Sequence, residues 1–295
     1  MSTVLLADML TYCRPYGSVT ERTFIARYIE PLPGSWQDAY GNWHVTTDPG
    51  SRVLWSCHTD TVHRRDGRQR IKVTKDRITL HKRSMGQTCL GADDTVGVYL
   101  MCEMIHAKVP GHYVFHFGEE VRCLGSSALA EHEATWLGGF DYAIALDRGG
   151  TSDIITSQYG QRCCSDSFAW ALADALREAN PTYAPASGVY TDTAEYASLI
   201  PECTNVSVGY GRQHSNAEFV DTAHVARLRA VLCAWTGETE QSLPVDRNPA
   251  EQAIDAVSGR YLDEERPDVW EDCEDLDDGT MTPEDRAFLQ YLRNR

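Results

Sequence analysis

The sequence predicts an α/β protein, a three-layer α/β/α arrangement around a mixed, mainly parallel sheet, and two observations carry that expectation. From about residue 95 onward, β-rich runs alternate with stretches of helical character ten or so residues long. Such alternation implies crossover connections and helices on both faces of a largely parallel sheet. The strand-like runs also stop at titratable residues: His58 and Asp60, then Glu119 and Glu120, then Asp147. In an open α/β sheet, residues just past the C-terminal ends of parallel strands converge on one crevice.

Taken in order, Ser18-Val19-Thr20-Glu21 has the form of a capping box and opens a helix through Ile29, which Pro31 and Pro33 end. Residues 43–46, 52–56, 71–73 and 78–80 read as strands, with Lys75-Asp76 as the hairpin turn between the last two. Helices are expected over 95–107, 126–133, 167–178 and 221–235, and strands over 113–117, 142–146 and 205–208. Leu243-Pro244, Asn248-Pro249 and the run DEERPDVWEDCEDLDD mark a boundary near residue 240. The expected organisation is a main domain over 1–240 and an acidic extension over 241–295. Within the extension, Thr282-Pro283-Glu284-Asp285 starts a short helix with a cap, a first-turn proline and acids suited to the helix dipole.

Composition excludes several classes. A formal charge of −16 disfavours polyanionic partners, so no nucleic-acid role is expected. No stretch approaches the roughly 20 consecutive apolar residues of a membrane span. MSTVLLADML lacks the basic start and longer apolar run of an export signal, so a cytoplasmic location without membrane attachment is expected. The 10 cysteines show no C-x-x-C pairing and are expected to be reduced, packed thiols rather than a structural zinc site.

The polar strand ends gather chemistry. His58 and Asp60 follow one strand, Glu119-Glu120 another and Asp147 a third; His214 lies beyond 205–208, and Asp93-Asp94 sit between a glycine turn and a helix start in LGADDTVG. Taken singly, each has a bland explanation as a cap, a turn or a solvated loop. Jointly, imidazoles and carboxylates at one sheet edge suit zinc and its neighbours, and a shared carboxylate can bridge two ions roughly 3.5–4 Å apart.

The order H-T-D, G-A-D-D-x-x-G, G-E-E, a strand-end Asp and a late H-S-x-x-E resembles the co-catalytic dizinc exopeptidases and deacylases. It is nearest to the peptidase T and acetylornithine deacetylase branch, with lid-free bacterial aminopeptidases as relatives. The resemblance runs from about residue 20 to 235. It implies two divalent ions, zinc with cobalt or manganese as alternatives, bridged by Asp93. His58 and Asp147 would complete one ion and Glu120 and His214 the other. Glu119 resembles the general base, and Asp60 the carboxylate that fixes the tautomer of His58. Relatives in the peptidase T branch insert a lid of about a hundred residues between the strand-end Asp and the late His. Here that interval holds only a helix, a loop and a strand, so no lid domain is expected. Thr95 also departs from the lysine common after the paired aspartates in lid-bearing relatives.

Without a lid, oxyanion stabilisation would fall to the metals, backbone N–H groups, or a local side chain such as Tyr190 or Tyr210. Arg148 and Arg212 could each clamp a substrate carboxylate or serve as ordinary ion pairs. Asp192 and Glu195 could receive a substrate ammonium or simply cap a helix. The implied substrate is a short peptide or an N-acyl amino acid. The competing readings are therefore exopeptidase, small-molecule deacylase, a single-zinc acyltransferase resembling glutaminyl cyclases, and a binding module. The last is disfavoured because every implied ligand and the base are present. Oligomeric state stays open.

Overall fold

In the computed structural model, which describes residues 2–84 and 87–249, the strand Val53–His58 lies at the centre of a nine-stranded sheet. His112–His116 and Tyr142–Arg148 run parallel on its two sides, and Glu202–Ser207 runs parallel to the latter. Antiparallel strands close both flanks: Trp43–Thr46 with Trp36–Gln37 on one side, Asp153–Gln158 with Gln161–Arg162 on the other. The sheet is thus mixed around a parallel centre. Ala184–Gly188 adds a strand parallel to Asp153–Gln158. Because it pairs only there, it tolerates Pro185, whose missing N–H would break an interior ladder.

The central strand is buried on both faces, and alternate side chains enter two different cores. Val53, Trp55 and Cys57 join the larger core formed with the helices Val19–Tyr28, Ala92–His106, Asp166–Ala175 and Thr222–Leu232. Leu54 enters the smaller one, with Val114 and Ala143 beneath the helices Leu124–His132 and Ala134–Leu137. Continuous apolarity is what a strand covered on both sides requires.

Local chemistry agrees with most of the sequence expectations. Ser18 Oγ accepts from Glu21 N–H at 3.1 Å and starts its helix. The reciprocal half of the capping box is displaced by one residue: Ser18 N–H already donates to Pro15 O, and Glu21 instead accepts from Gly17 N–H at 2.7 Å. The hairpin Ile71–Val73/Arg77–Leu80 turns at 74–77. It belongs to a second sheet, in which Arg77–Leu80 pairs with Phe219–Asp221 and that strand with Tyr210–Gly211. This sheet holds both ends of the loop bearing His214. No separate lid interrupts the described residues between Asp147 and His214.

Residues just past 240 are tied to the body. Tyr142 hydroxyl donates to Leu243 O at 2.7 Å, and the Asp246 and Arg247 N–H groups donate to Glu202 Oε1 at 2.8 and 2.9 Å. The acidic run and the helix expected at Thr282 lie outside the described residues.

Candidate metal centre and active site

The parallel strands deliver their polar ends to one place. His58 is the last residue of its strand and Asp147 the second-last of its own, and both sit on the same sheet face because each is an even step from a residue in the smaller core. Glu119 and Glu120 follow the end of His112–His116. Asp93 and Asp94 interrupt the helical dihedrals at the start of Ala92–His106. Gly97 permits that helix to approach closely, because a Cβ there would collide with the Asp94 carboxylate and Leu146 O.

Asp93 stands between the two histidines. Its Oδ1 lies 3.0 Å from His58 Nε2 and its Oδ2 3.4 Å from His214 Nε2. Asp147 Oδ1 is 3.5 Å from His58 Nε2, and Glu120 Oε1 is 3.1 Å from His214 Nε2. Donor atoms of His58, Asp93 and Glu120 all lie within 4.8 Å of one another, as do those of His58, Asp94 and Asp147. Asp94 is engaged elsewhere, accepting from Gly97 N–H at 2.8 Å and from His58 N–H at 3.4 Å. The oxygens of Asp93 face the imidazoles.

The surroundings fix this arrangement. His58 Nδ1 lies 3.2 Å from the Asp60 backbone O and 3.4 Å from its Oδ1, and the two carboxylate oxygens of Asp60 accept from the Glu119 and Glu120 N–H groups at 3.1 and 3.2 Å. One residue, through its carbonyl and its carboxylate, therefore orients a histidine and the adjoining acidic turn. Asp147 is held by Thr191 hydroxyl at 2.7 Å, by Asn205 through its backbone N–H and C=O, and by Tyr210 hydroxyl at 3.2 Å. Glu218 is buried and accepts from four successive N–H groups, those of Leu90, Gly91, Ala92 and Asp93, at 2.7 to 3.1 Å. It clamps the loop that presents Asp93. Thr191, Asn205 and Glu218 are supporting residues that sequence reasoning missed; for Glu218 the signal was its place at the end of H-S-x-x-E.

Electrostatics fit a cation-binding cluster. Burial pushes Glu119 well above the usual carboxylate range, with Asp147 and Glu120 adding repulsion against the attraction of His58. Burial raises Glu120 to about 7, and burial with repulsion from Asp93 raises Asp147. Asp93 behaves oppositely: hydrogen bonds with His214 and His58 overcome its burial and hold it below the usual range. Hydrogen bonds to Asp93 and Glu120 raise His214 to about 10. Carboxylates crowded away from water need positive charge nearby, and the imidazole and oxygen donors suit divalent zinc-like ions.

These groups line a cavity of about 210 Å³ together with Arg148, Gly149, Ile155, Val189, Tyr190, Asn205, Tyr210 and Gln213. The remaining sequence candidates divide around it. Arg148 is in the wall and pairs with Asp153 at 3.1 Å. Arg212 is exposed and outside the lining, where its neighbour Gln213 takes part instead. Tyr190 lines the cavity and donates to Glu195, while the buried Tyr210 hydroxyl is occupied with Asp147. Asp192 is not among the lining residues and is buried, accepting from Ser126 hydroxyl at 2.5 Å. Burial also raises its pKa.

No protein-family model matches the chain, and no curated relative is found. Solved structures share the fold. The aminopeptidase PepT of Bacillus cereus ATCC 10987 superposes with a TM-score of 0.64 at 12% identity, over 80% of this chain and 97% of that one. A Staphylococcus aureus tripeptidase gives 0.64 at 12% identity, over 81% and 98%. The TET1 peptidase of Pyrococcus horikoshii, which can assemble into a tetrahedron or a large octahedral shell, gives 0.61 at 16% identity, over 79% and 98%. The fold is therefore the α/β fold of these peptidases.

Proposed function

We propose that this chain is a metal-dependent amide hydrolase that removes single residues from short peptides, using a dinuclear zinc site and Glu119 as general base. The observation that carries the reading is the position of Asp93, with one oxygen toward each histidine, in a cavity that Glu119 also lines. His58, Asp93 and Asp147 would hold one ion and Asp93, Glu120 and His214 the other. When bound, the ions supply Lewis acidity and bring a water's pKa toward neutrality. The peptidases that share the fold are further support.

The chain's own residues supply the rest. Glu119 and Glu120 both line the cavity, so one side chain can hold metal while its neighbour faces the substrate. Glu119 takes the proton of the attacking water and delivers it to the departing amine, which leaves protonated as the C–N bond breaks. Asp60 keeps His58 and the Glu119 backbone in register. Arg148, paired on one side with Asp153, also borders the cavity. That favours, as a second reading, substrates bearing a carboxylate, including N-acyl amino acids.

The test is to strip metal from the purified chain, restore zinc, cobalt or manganese, and assay free-amine dipeptides and tripeptides beside N-acetyl amino acids. Cleavage of the free-amine peptides is expected; cleavage of the N-acetyl compounds alone would install the second reading. Failure on both sets with two ions bound would refute the hydrolase, and a stoichiometry near one zinc per chain would refute the dinuclear site.

A further inference from the structure

Arg14 is fully buried, a rare place for an arginine, and its guanidinium spans the two segments that carry His58 and Asp93. Nε donates to Thr59 O at 2.8 Å, between His58 and Asp60, and Nη1 donates to Thr95 Oγ1 at 2.9 Å, directly after Asp93 and Asp94. The Thr95 hydroxyl passes the contact on by donating to Gly91 O, across the turn that holds Asp93. The main chain is tied to the same place, Arg14 N–H donating to Thr61 Oγ1 at 3.1 Å and Thr61 N–H to Arg14 O at 2.8 Å. The guanidinium carbon sits 3.9 Å from the centroid of the Phe24 ring.

Stability alone does not account for a charge in this position. Its Nη2 has no hydrogen-bond partner among the described residues, and taking an arginine out of water carries a large desolvation penalty that an apolar side chain against Phe24 would avoid. Burial lowers Arg14 to about 10, opposed by attraction to Glu21, Asp94 and Asp60, so the group stays charged at neutral pH. Both side-chain bonds land on segments that present candidate metal ligands. The direct backbone tie between those segments, His58 N–H to Asp94 Oδ2, is long at 3.4 Å. Glu218 grips the N–H groups of the Asp93 turn, and Arg14, through Thr95, secures its carbonyl side.

We propose that Arg14 is a positioning residue for the metal centre: by bonding at once to residues 58–60 and to residues 91–95, it fixes the separation of His58 from Asp93 and thereby sets metal affinity. The inference rests on the metal-site reading above. His58 Nε2 and Asp93 Oδ1 lie 3.0 Å apart on separate segments, and such a constellation must be held within about 0.5 Å of its working geometry. The two bonds leave from different nitrogens of one planar fork. A lysine would keep the charge but present it as a single ammonium point, which cannot reproduce that span.

The test separates metal binding from folding. Zinc affinity of the full chain is measured by competitive chelator titration, the absorption spectrum of the cobalt-loaded protein reports ligand geometry, and near-ultraviolet circular dichroism establishes that each variant is folded. Arg14→Lys is expected to bind zinc roughly 10–100-fold more weakly, with an altered cobalt spectrum. Thr95→Val, which retains Arg14 and removes its acceptor, should show the same loss, and it decides the matter if Arg14→Lys does not fold. Thr95→Ser keeps the hydroxyl and should restore the parent's affinity and spectrum. Parental affinity and spectrum in either folded variant, Arg14→Lys or Thr95→Val, would overturn the proposal even where the melting temperature falls. Weakened binding in these variants, with a parent that takes up metal yet cleaves no peptide, would uphold the positioning role and sink the hydrolase reading. Parental affinity in the variants of a parent that does cleave peptides would do the reverse, and a parent that binds neither metal would overturn both.

Discussion

The two histidines of the centre occupy contrasting settings. His58 ends a parallel strand with its side chain 1% exposed, while His214 lies on a loop at φ 57° with its side chain 52% exposed. Asp60, Asp93 and Asp147 surround the first; Asp93 and Glu120 meet the second. A strand end packed on both faces gives one geometry, whereas a loop can yield. The proposed site therefore combines a rigid half, suited to a tightly held ion, with an open half whose ion exchanges more readily.

The sharpest way to break that contrast is to remove each histidine in turn. His58→Ala strips a buried, paired group from among carboxylates and should cost roughly 3–5 kcal/mol of stability, together with metal content and all activity. His214→Ala should cost only about 0–1 kcal/mol and leave one ion bound. Thermal melts and metal analysis of both variants decide the matter, and greater metal loss from His214→Ala would reverse the assignment. Dialysis against a mild chelator offers a second check on unmodified protein: one equivalent should leave well before the other.

Glu119 sharpens the contrast from another direction, because it lies 3.9 Å from His58 Nε2 and lines the cavity without being assigned to either ion. Glu119→Gln should lower kcat by about 10²–10⁴-fold with both metals retained and the melting temperature nearly unchanged. Undiminished turnover would remove it as the base. Glu218 acts one step further out, through the loop carrying Asp93, the proposed bridge. In Glu218→Gln the amide nitrogen would face N–H donors, so metal affinity should fall by roughly 10–100-fold while competitive zinc titration still reports two sites. A change in catalytic rate at saturating metal, without a change in affinity, would count against this positioning role.

The same contrast explains what was legible beforehand. His58, Glu119-Glu120 and Asp147 could be read because an uninterrupted apolar strand ending in a titratable residue is a local pattern. The strand ends reach a little further than the pattern implied, Val53–His58 taking in His58 and Tyr142–Arg148 taking in Asp147. Several strands went unread, the longest of them Asp153–Gln158 and Ala184–Gly188. The second contains proline and glycine and has strand form only because an edge position tolerates them. The clamp by Glu218 depends on partners far away in the chain, and no spacing rule exposes that. Arg148 and Arg212 look alike in sequence; the end of a strand puts the first in the cavity wall, while the second sits on a loop outside the lining.

The smallest expected effect concerns His63, which packs beneath the Asp93 loop. It lies 2.8 Å from Thr61 Oγ1 and 3.2 Å from Gln69 Oε1, and a Cβ on Gly91 would come within 2.7 Å of its ring. Burial lowers its pKa from 6.5 to about 4. The folded chain thus holds this ring neutral over a range in which the unfolded chain protonates it. Its contribution to stability is fully present above pH 6.5 and declines as pH falls toward 4, by about 2 kcal/mol between pH 7.5 and pH 5. Urea denaturation of metal-free His63→Gln should show a stability loss over that interval smaller than the parent's by this amount. Identical pH slopes in the two proteins would show that the ring under the Asp93 loop is not held neutral.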